Sequence, residues 1–457
     1  MKRAIMTTVS ALALFAAAPA IAAGNNSSAV NQSGTISLAT VSQDGGNAAS
    51  SIDQSGRADK AIVNQNGSTL GVSSAIVQTG NANLADVTQS DDGSDVYGHG
   101  RPINTSAVRQ DGNSNSATVV QKTSTAQALT ESSVYQGGNS NIASITQVDD
   151  NQHSTVAQTS SNNTASVKQG DSALAVGDNS WGNHSDVIQS GDGSHTATVS
   201  QTGIYGSSQV GQSGYMNSAT VTQHGGQASS SNVYQAAKNG TVTVDQNGNG
   251  HSSSATQVMG ADNADATVKQ NGNSQASNIL QAGMNVSASV TQSGAGNNSS
   301  VTQTASGTNK YSNSNSTYAQ VMQSGTANAS AAVQTGRDQW AFVDQIGSNN
   351  SSNLTQTGYY QTAHVTQTGG GNRSDVLQSG EHHNLIVNQS GDMNTSHVSQ
   401  AGYGNYGNVR QSGDNNLSDL TQSGSYNSAY VVQGSNGNSS SINQSGTANL
   451  ATVTQGH

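Results

Sequence analysis

Side chains able to act as acid, base, nucleophile or metal ligand are thinly spread in this chain. Cysteine is absent, and charged residues make up 9% of the 457. Thiolate chemistry and disulfide bonds are thereby excluded. The only glutamates are Glu131 and Glu381, whereas an enzyme that cuts polysaccharide needs carboxyl groups clustered in a groove. The acidic pairs Asp91-Asp92 and Asp149-Asp150 fall in or beside turns, where solvated carboxylates are the simplest expectation. His382-His383 and the run Asp91-Asp92-Gly93-Ser94-Asp95 offer no more than a weak cation site. The calcium nonapeptide pattern Gly-Gly-x-Gly-x-Asp does not recur. No catalytic group, no metal and no cofactor is expected.

What does recur is a primary amide. From Gln323 the anchors Gln334, Gln345, Gln356, Gln367, Gln378, Gln389, Gln400, Gln411, Gln422, Gln433, Gln444 and Gln455 advance by eleven without a miss. Upstream the same anchor runs from Gln32 to Gln303 with a few longer gaps. There are 36 anchors, and 26 have Gly two residues later. The chemistry of an amide is to donate and accept hydrogen bonds at once. Buried alone it is costly. Stacked on its own kind, each amide donates to one neighbour and accepts from the other, as in the Gln and Asn ladders of cross-β stacks. Such a ladder is expected of Gln78, Gln89, Gln110, Gln121, Gln136, Gln147, Gln212, Gln223, Gln422, Gln433, Gln444 and Gln455. Six residues before the anchor stands a second amide: Asn328, Asn350, Asn372, Asn394, Asn416 and Asn438 in one set of units. Asn83, Asn115, Asn141, Asn217, Asn427 and Asn449 hold the same place in the other.

The elements that position these amides follow from the spacing. A unit of eleven residues with a Gly holds a short strand and a tight turn, and has no room for a helix as well. Two residues before the anchor stands Val, Ile or Leu in 34 of 36 units, the exceptions being Ala255 and Ala332. Val41, Val87, Val119, Val221, Val431 and Val453 belong to this inward apolar column. Four before the anchor the units alternate. One class has Ser every time, from Ser28 to Ser440; the other has Ala, from Ala39 to Ala451, with only Val242, Leu385 and Gly407 departing. Spacing by two puts these positions on one face of a strand. The true repeat is therefore 22 residues with two strands. The predicted fold is all-β: a two-strand-per-coil parallel β-solenoid, cross-β and amyloid-like, of about 18 coils. The long gaps leave the Ser/Ala order intact, so they predict loop insertions near 90–103, 170–182 and 304–316, the first holding Pro102, where proline removes no ladder hydrogen bond.

The first residues point to export. Lys2 and Arg3, the apolar stretch 4–18 and the small-residue site at Ala20-Ile21-Ala22 predict a secretory signal peptide over 1–22. Residues 23–31 are then a short mature N-terminal segment, and 32–457 the repeat region. No other stretch is apolar enough to predict a membrane span. A formal net charge of −11 leaves no basic footprint for nucleic acid. Gln32–Gln43, QSGTISLATVSQ, and Gln444–Gln455, QSGTANLATVTQ, carry the same inward letters. A stack that begins and ends on one pattern predicts a head-to-tail contact between copies, and a contact of that kind that does not close makes a filament. Outward charges at Asp53, Asp86, Lys168, Lys269 and Asp344 serve either as gatekeepers against early assembly or simply for solubility.

The pattern Gln-x-Gly-x-x-Asn-x-Ala-x-Val-x-Gln is complete at Gln78–Gln89, Gln110–Gln121, Gln136–Gln147 (with Ile145), Gln212–Gln223, Gln422–Gln433 and Gln444–Gln455. It resembles the curlin repeat of curli subunits, the secreted functional amyloids of bacterial biofilms, over nearly all of the mature chain. The resemblance implies a secreted fibre subunit that polymerises with itself for biofilm matrix, adhesion and surface colonisation. It also implies an outer-membrane export pore and a nucleator subunit as partners. The competing readings are a minor fibre nucleator and a monomeric solenoid that binds ice or polysaccharide. An ice-binding face needs Thr-x-Thr on successive coils. Thr220-Val221-Thr222 and Thr452-Val453-Thr454 qualify, but Asp86, Lys168, Asp245, Phe342 and Arg410 interrupt the array.

Overall fold

The computed structural model describes residues 25–67, 71–91, 104–123, 129–170, 181–304 and 317–456. The expected signal peptide lies outside them, as do most of the three expected insertions, including Pro102. Among the described residues all 36 elements are β-strands. Two units divide at Asn183. The first holds twelve strands, from β1 (Ser27–Gln32) and β2 (Leu38–Gly45) to β12 (Thr164–Gln169). The second holds twenty-four, from β13 (His184–Gln189) to β36 (Leu450–Gln455). With two strands per turn, that is six turns and twelve.

Within each unit every strand pairs in parallel with the strand two places along, so odd strands form one sheet and even strands another. Register is strict. In the first unit Ser74 faces Ser106 and Gln78 faces Gln110 in the odd sheet, while Ala85, Val87 and Gln89 face Ala117, Val119 and Gln121 in the even sheet. In the second unit Ser374, Val376 and Gln378 face Ser396, Val398 and Gln400. Ser and Ala classes thus keep to their own sheets, also across residues 92–103 and 305–316. The parallel two-strand solenoid expected from the 22-residue period is the observed fold. Period two explains which side chains turn inward. β-Branched Val and Ile at the second inward place suit a pleated, packed surface.

The turns differ from the expectation that Gly carries the tight bend. In most of them the left-handed residue is the fourth after the anchor, and it is seldom Gly: Ile36 (φ 62°), Tyr360 (φ 54°), His382 (φ 59°) and Met393 (φ 57°) are examples. A side chain in that conformation costs about 1–2 kcal/mol. The cause lies in the neighbouring turn. The left-handed φ aims the backbone N–H back at the previous coil, where Tyr360 N–H meets the Arg337 carbonyl at 3.2 Å and Met393 N–H the Gly370 carbonyl at 2.8 Å. No local sequence signal encodes that contact.

The Gly two after the anchor serves close approach between coils. A Cβ on Gly358 would fall inside contact of the Gly380 carbonyl, and one on Gly380 would do so with Gly402. Gly437, also left-handed at φ 70°, has nothing within 4 Å of the same point. Gly358→Ala is expected to lower unfolding stability by about 3 kcal/mol and Gly437→Ala by about 1 kcal/mol, because only the first adds a backbone clash to the cost of the dihedral. Denaturant unfolding of the two variants checks the difference.

Candidate functional site

The Gln anchors lie in the core of each unit as chains of side-chain hydrogen bonds. In the first unit Gln78 Nε2 donates to Gln110 Oε1 at 2.8 Å and Gln110 to Gln136 at 2.7 Å. In the facing sheet Gln89 donates to Gln121 at 2.7 Å and Gln121 to Gln147 at 3.0 Å. In the second unit Gln212 donates to Gln235 at 2.9 Å, Gln223 to Gln246 at 2.8 Å, Gln422 to Gln444 at 2.9 Å and Gln433 to Gln455 at 2.9 Å. The donor always belongs to the earlier turn. The second N–H crosses the core to the other sheet: Gln89 to the Ser73 carbonyl at 2.8 Å, Gln433 to that of Leu417 at 2.9 Å. One residue type thus binds turn to turn and sheet to sheet.

The Asn residues six before the anchor bond mainly to backbone. Oδ1 of Asn83 accepts the N–H of Asn115 at 3.0 Å, and Oδ1 of Asn115 that of Asn141 at 2.9 Å. Oδ1 of Asn217 accepts from Gly240 at 2.8 Å. The series Asn328, Asn350, Asn372, Asn394, Asn416 and Asn438 repeats this contact at 2.9–3.1 Å. Asn405, Asn427 and Asn449 do so in the facing sheet at 3.0 and 3.1 Å. Nδ2 of Asn394 reaches the Ser390 carbonyl at 3.1 Å and the Gly413 carbonyl at 2.8 Å, so this Asn holds a strand entrance to the turn beside it, whereas Nδ2 of Asn141 is buried without a partner among the described residues. Side-chain rungs here run from later turn to earlier, as from Asn394 Nδ2 to Asn372 Oδ1 at 3.0 Å, opposite to the Gln sense. Val87, Val119, Val221 and Val431 are fully buried. Val41 and Val453 face the same way but are half-buried, since they lie in the outermost described turns.

The Asn column has members that sequence reading missed. Asp59, His195, His251 and His383 occupy the same place and are 0–1% exposed. The signal was their distance from the anchor, six residues, rather than their type. Asp59 Oδ1 accepts the N–H of Asn83 at 2.9 Å, but Oδ2 is buried without a partner. Burial pushes its carboxyl above the ordinary range, against the hydrogen bonds from Asn83. The Ser column also holds a surprise. Fifteen inward hydroxyls, Ser106 to Ser440, are buried without a hydrogen-bond partner among the described residues. Stacked strands are about 4.8 Å apart, too far for one hydroxyl to reach the next.

One expectation about charged pairs needs correction. Asp91 and Asp150 are buried, at 6% and 4% exposure, not solvated. Asp91 closes β6 (Leu84–Asp91), and period two turns it inward from Gln89. His382 and His383 do not converge on a cation. His383 lies in the core, while His382 is exposed and stacks on Tyr360 at 4.8 Å, with Tyr403 at 5.0 Å on its far side. Residues 92–95 lie outside the described residues. On the outer face His397 sits between Asp419 at 2.8 Å and Asp375 at 3.6 Å, and Arg373 holds Asp375 at 2.8 Å. Exposed pairs of this kind add about 0–1 kcal/mol each.

Asp59→Asn restores the column's own residue and supplies the missing donor. It is expected to raise stability at neutral pH by about 1–3 kcal/mol, the cost of a buried unpaired group. Ser396→Ala is expected to be neutral or to stabilise by up to about 1 kcal/mol on the same ground, and denaturant midpoints of both variants test the two assignments.

Among the described residues no helix is long and apolar enough to cross a membrane. No curated protein matches the chain. The family model of the curlin associated repeat matches residues 332–358, 347–380, 402–434 and 413–446. These matches fall where Gln, Gly, inward Val and column Asn recur with least variation, and by them residues 332–446 carry repeats of the curlin family.

Proposed function

We propose that the protein is a secreted structural subunit that polymerises head-to-tail into curli-like extracellular fibres. The observation that carries this reading is the state of the outermost strands. Among the described residues β1 and β2 pair only with β3 (Ala49–Gln54) and β4 (Lys60–Gly67). In the second unit, among the described residues, β35 (Ser439–Thr447) and β36 pair only with β33 (Leu417–Ser425) and β34 (Ser428–Gln433). Exposed strand edges of this kind are templates for another chain. The two edges are also chemically complementary. Gln32 and Gln43 each donate to the next turn, and among the described residues no amide donates to their Oε1 atoms. Gln444 and Gln455 each accept from the turn before and donate one N–H to a backbone carbonyl, which leaves the other to offer. Asn438 and Asn449 likewise end their columns on an Oδ1 that a further turn's N–H would meet.

The Gln and Asn columns and the inward Val residues carry assembly in this reading. The outward charges at Asp53, Asp86, Lys168, Lys269 and Asp344 slow it until export is complete. The family supports a place outside the cell, in biofilm matrix, adhesion and surface colonisation, reached through an outer-membrane export pore and started by a nucleator subunit. Neither an enzymatic role nor a bound cofactor is part of it.

Purified mature protein should give a fibre reflection near 4.8 Å, the inter-strand spacing. Val431→Asp and Gln433→Asp should each slow growth at least about tenfold in a dye-binding assay, by placing an unpaired charge in the dry core. Tyr430→Asp, on the outer face, should leave the rate within about twofold. Equal effects at the three sites, or a chain that stays a dilute soluble monomer, would overturn the reading.

A further inference from the structure

His195, His251 and His383 stand where Asn stands in other turns, and their rings copy its hydrogen bonds. Nε2 lies 2.8 Å from the Ser190 carbonyl in His195, 3.0 Å from that of Asn247 in His251 and 2.9 Å from that of Ser379 in His383. A carbonyl only accepts, so Nε2 carries the proton. Nδ1 of His195 accepts the backbone N–H of Asn217 at 3.2 Å, and Nδ1 of His383 that of Asn405 at 3.2 Å. Each of these two rings is therefore the neutral Nε2–H tautomer, held on both sides. Nδ1 of His251 is buried without a partner.

We propose that these three histidines are acid-sensitive rungs, whose protonation opens the amide column at three turns of the second unit. A second proton has one place to go, Nδ1. At His195 and His383 it would turn an acceptor into a donor facing a backbone N–H, orphaning both groups. At His251 it would place an unpaired charge in the core. Among the described residues Asp192 acts on His195 and His382 on His383, and the backbone of Asn247 and Gly272 acts on His251. Exposed pairs such as His224 with Asp245, and His397 with Asp375 and Asp419, gain attraction on protonation, but surface pairs add little.

Burial holds all three rings below the ordinary histidine value of 6.5. The unfolded chain takes up its protons first as pH falls. Stability carried by these rungs is therefore complete above pH 6.5 and is lost as pH drops from there toward the lower folded-state value. All three lie in the unit that starts at His184, so loosening is confined to that unit. The device goes beyond the assembly reading and stands without it.

Hydrogen exchange of the folded full chain at pH 7.5 and 5.0, corrected for intrinsic rates, tests this. Protection of segments 190–217, 247–275 and 379–405 should fall at pH 5.0 by up to about thirtyfold, the limit set by an unfolded value of 6.5. Segment 411–444, which has no histidine, should hold. The variant H195N/H251N/H383N should lose the response everywhere, H383N alone should lose it only at 379–405, and H382N should keep it. An equal fall in wild type and the triple variant, or no fall in wild type, overturns the proposal. If the triple variant does not fold, H383N decides by the same criterion.

Discussion

A primary amide in a dry core must have both its N–H groups and its oxygen met, and this demand governs the rest of the structure. Gln is long enough to meet it in two directions at once. One N–H goes to the Gln of the next turn, as from Gln345 to Gln367 at 2.7 Å, and the other crosses to the facing sheet, as from Gln345 to the Ala329 carbonyl at 3.0 Å. A slip of one residue would turn every anchor outward and leave its partner unpaired. In-register parallel stacking follows, with a 22-residue turn and no room for an inserted strand. Length variation is pushed into the gaps between strands, where it disturbs no rung.

The same demand gives the stack a direction. The anchor Gln side chains donate to the Gln of the later turn, while the Asn-to-Asn rungs six residues before the anchor run from later turn to earlier. Within each unit one direction along the stack therefore offers Gln acceptors and the other Gln donors. Such a stack tends to extend itself rather than to pair face to face, in keeping with the curlin-repeat family and with filaments built from contacts that do not close.

Against these gains stand small penalties repeated at every turn. Most of the left-handed residues at the fourth place after the anchor are non-glycine, among them Tyr205, Tyr426 and Met216. Fifteen inward Ser hydroxyls have no partner among the described residues. Each penalty is about 1–2 kcal/mol, and each is tolerated because the neighbouring turns leave the residue no alternative. Stability in such repeats resides in the interfaces between neighbours more than in the single unit. Ser at this place is small enough to let the two sheets close on the Gln side chains. Asp59 and the three buried histidines are the places where a titratable group has entered a column built for neutral amides.

Much of the fold was legible because the pattern is one of spacing alone. The recurrence of Gln at eleven, the aliphatic residue two before it and the alternation of Ser with Ala four before it together determine strand, inward face and two strands per turn, since side-chain direction in a strand depends only on parity. Parity also had Asp91 pointing inward, a consequence obscured by its charge. What only the tertiary structure decided are contacts between residues about 22 apart. The left-handed φ at Tyr360 depends on the Arg337 carbonyl of the turn before it, and the neutral tautomer of His383 on the N–H of Asn405 in the turn after it. Neither leaves a mark in its own segment, because the physical cause lies in the adjacent coil.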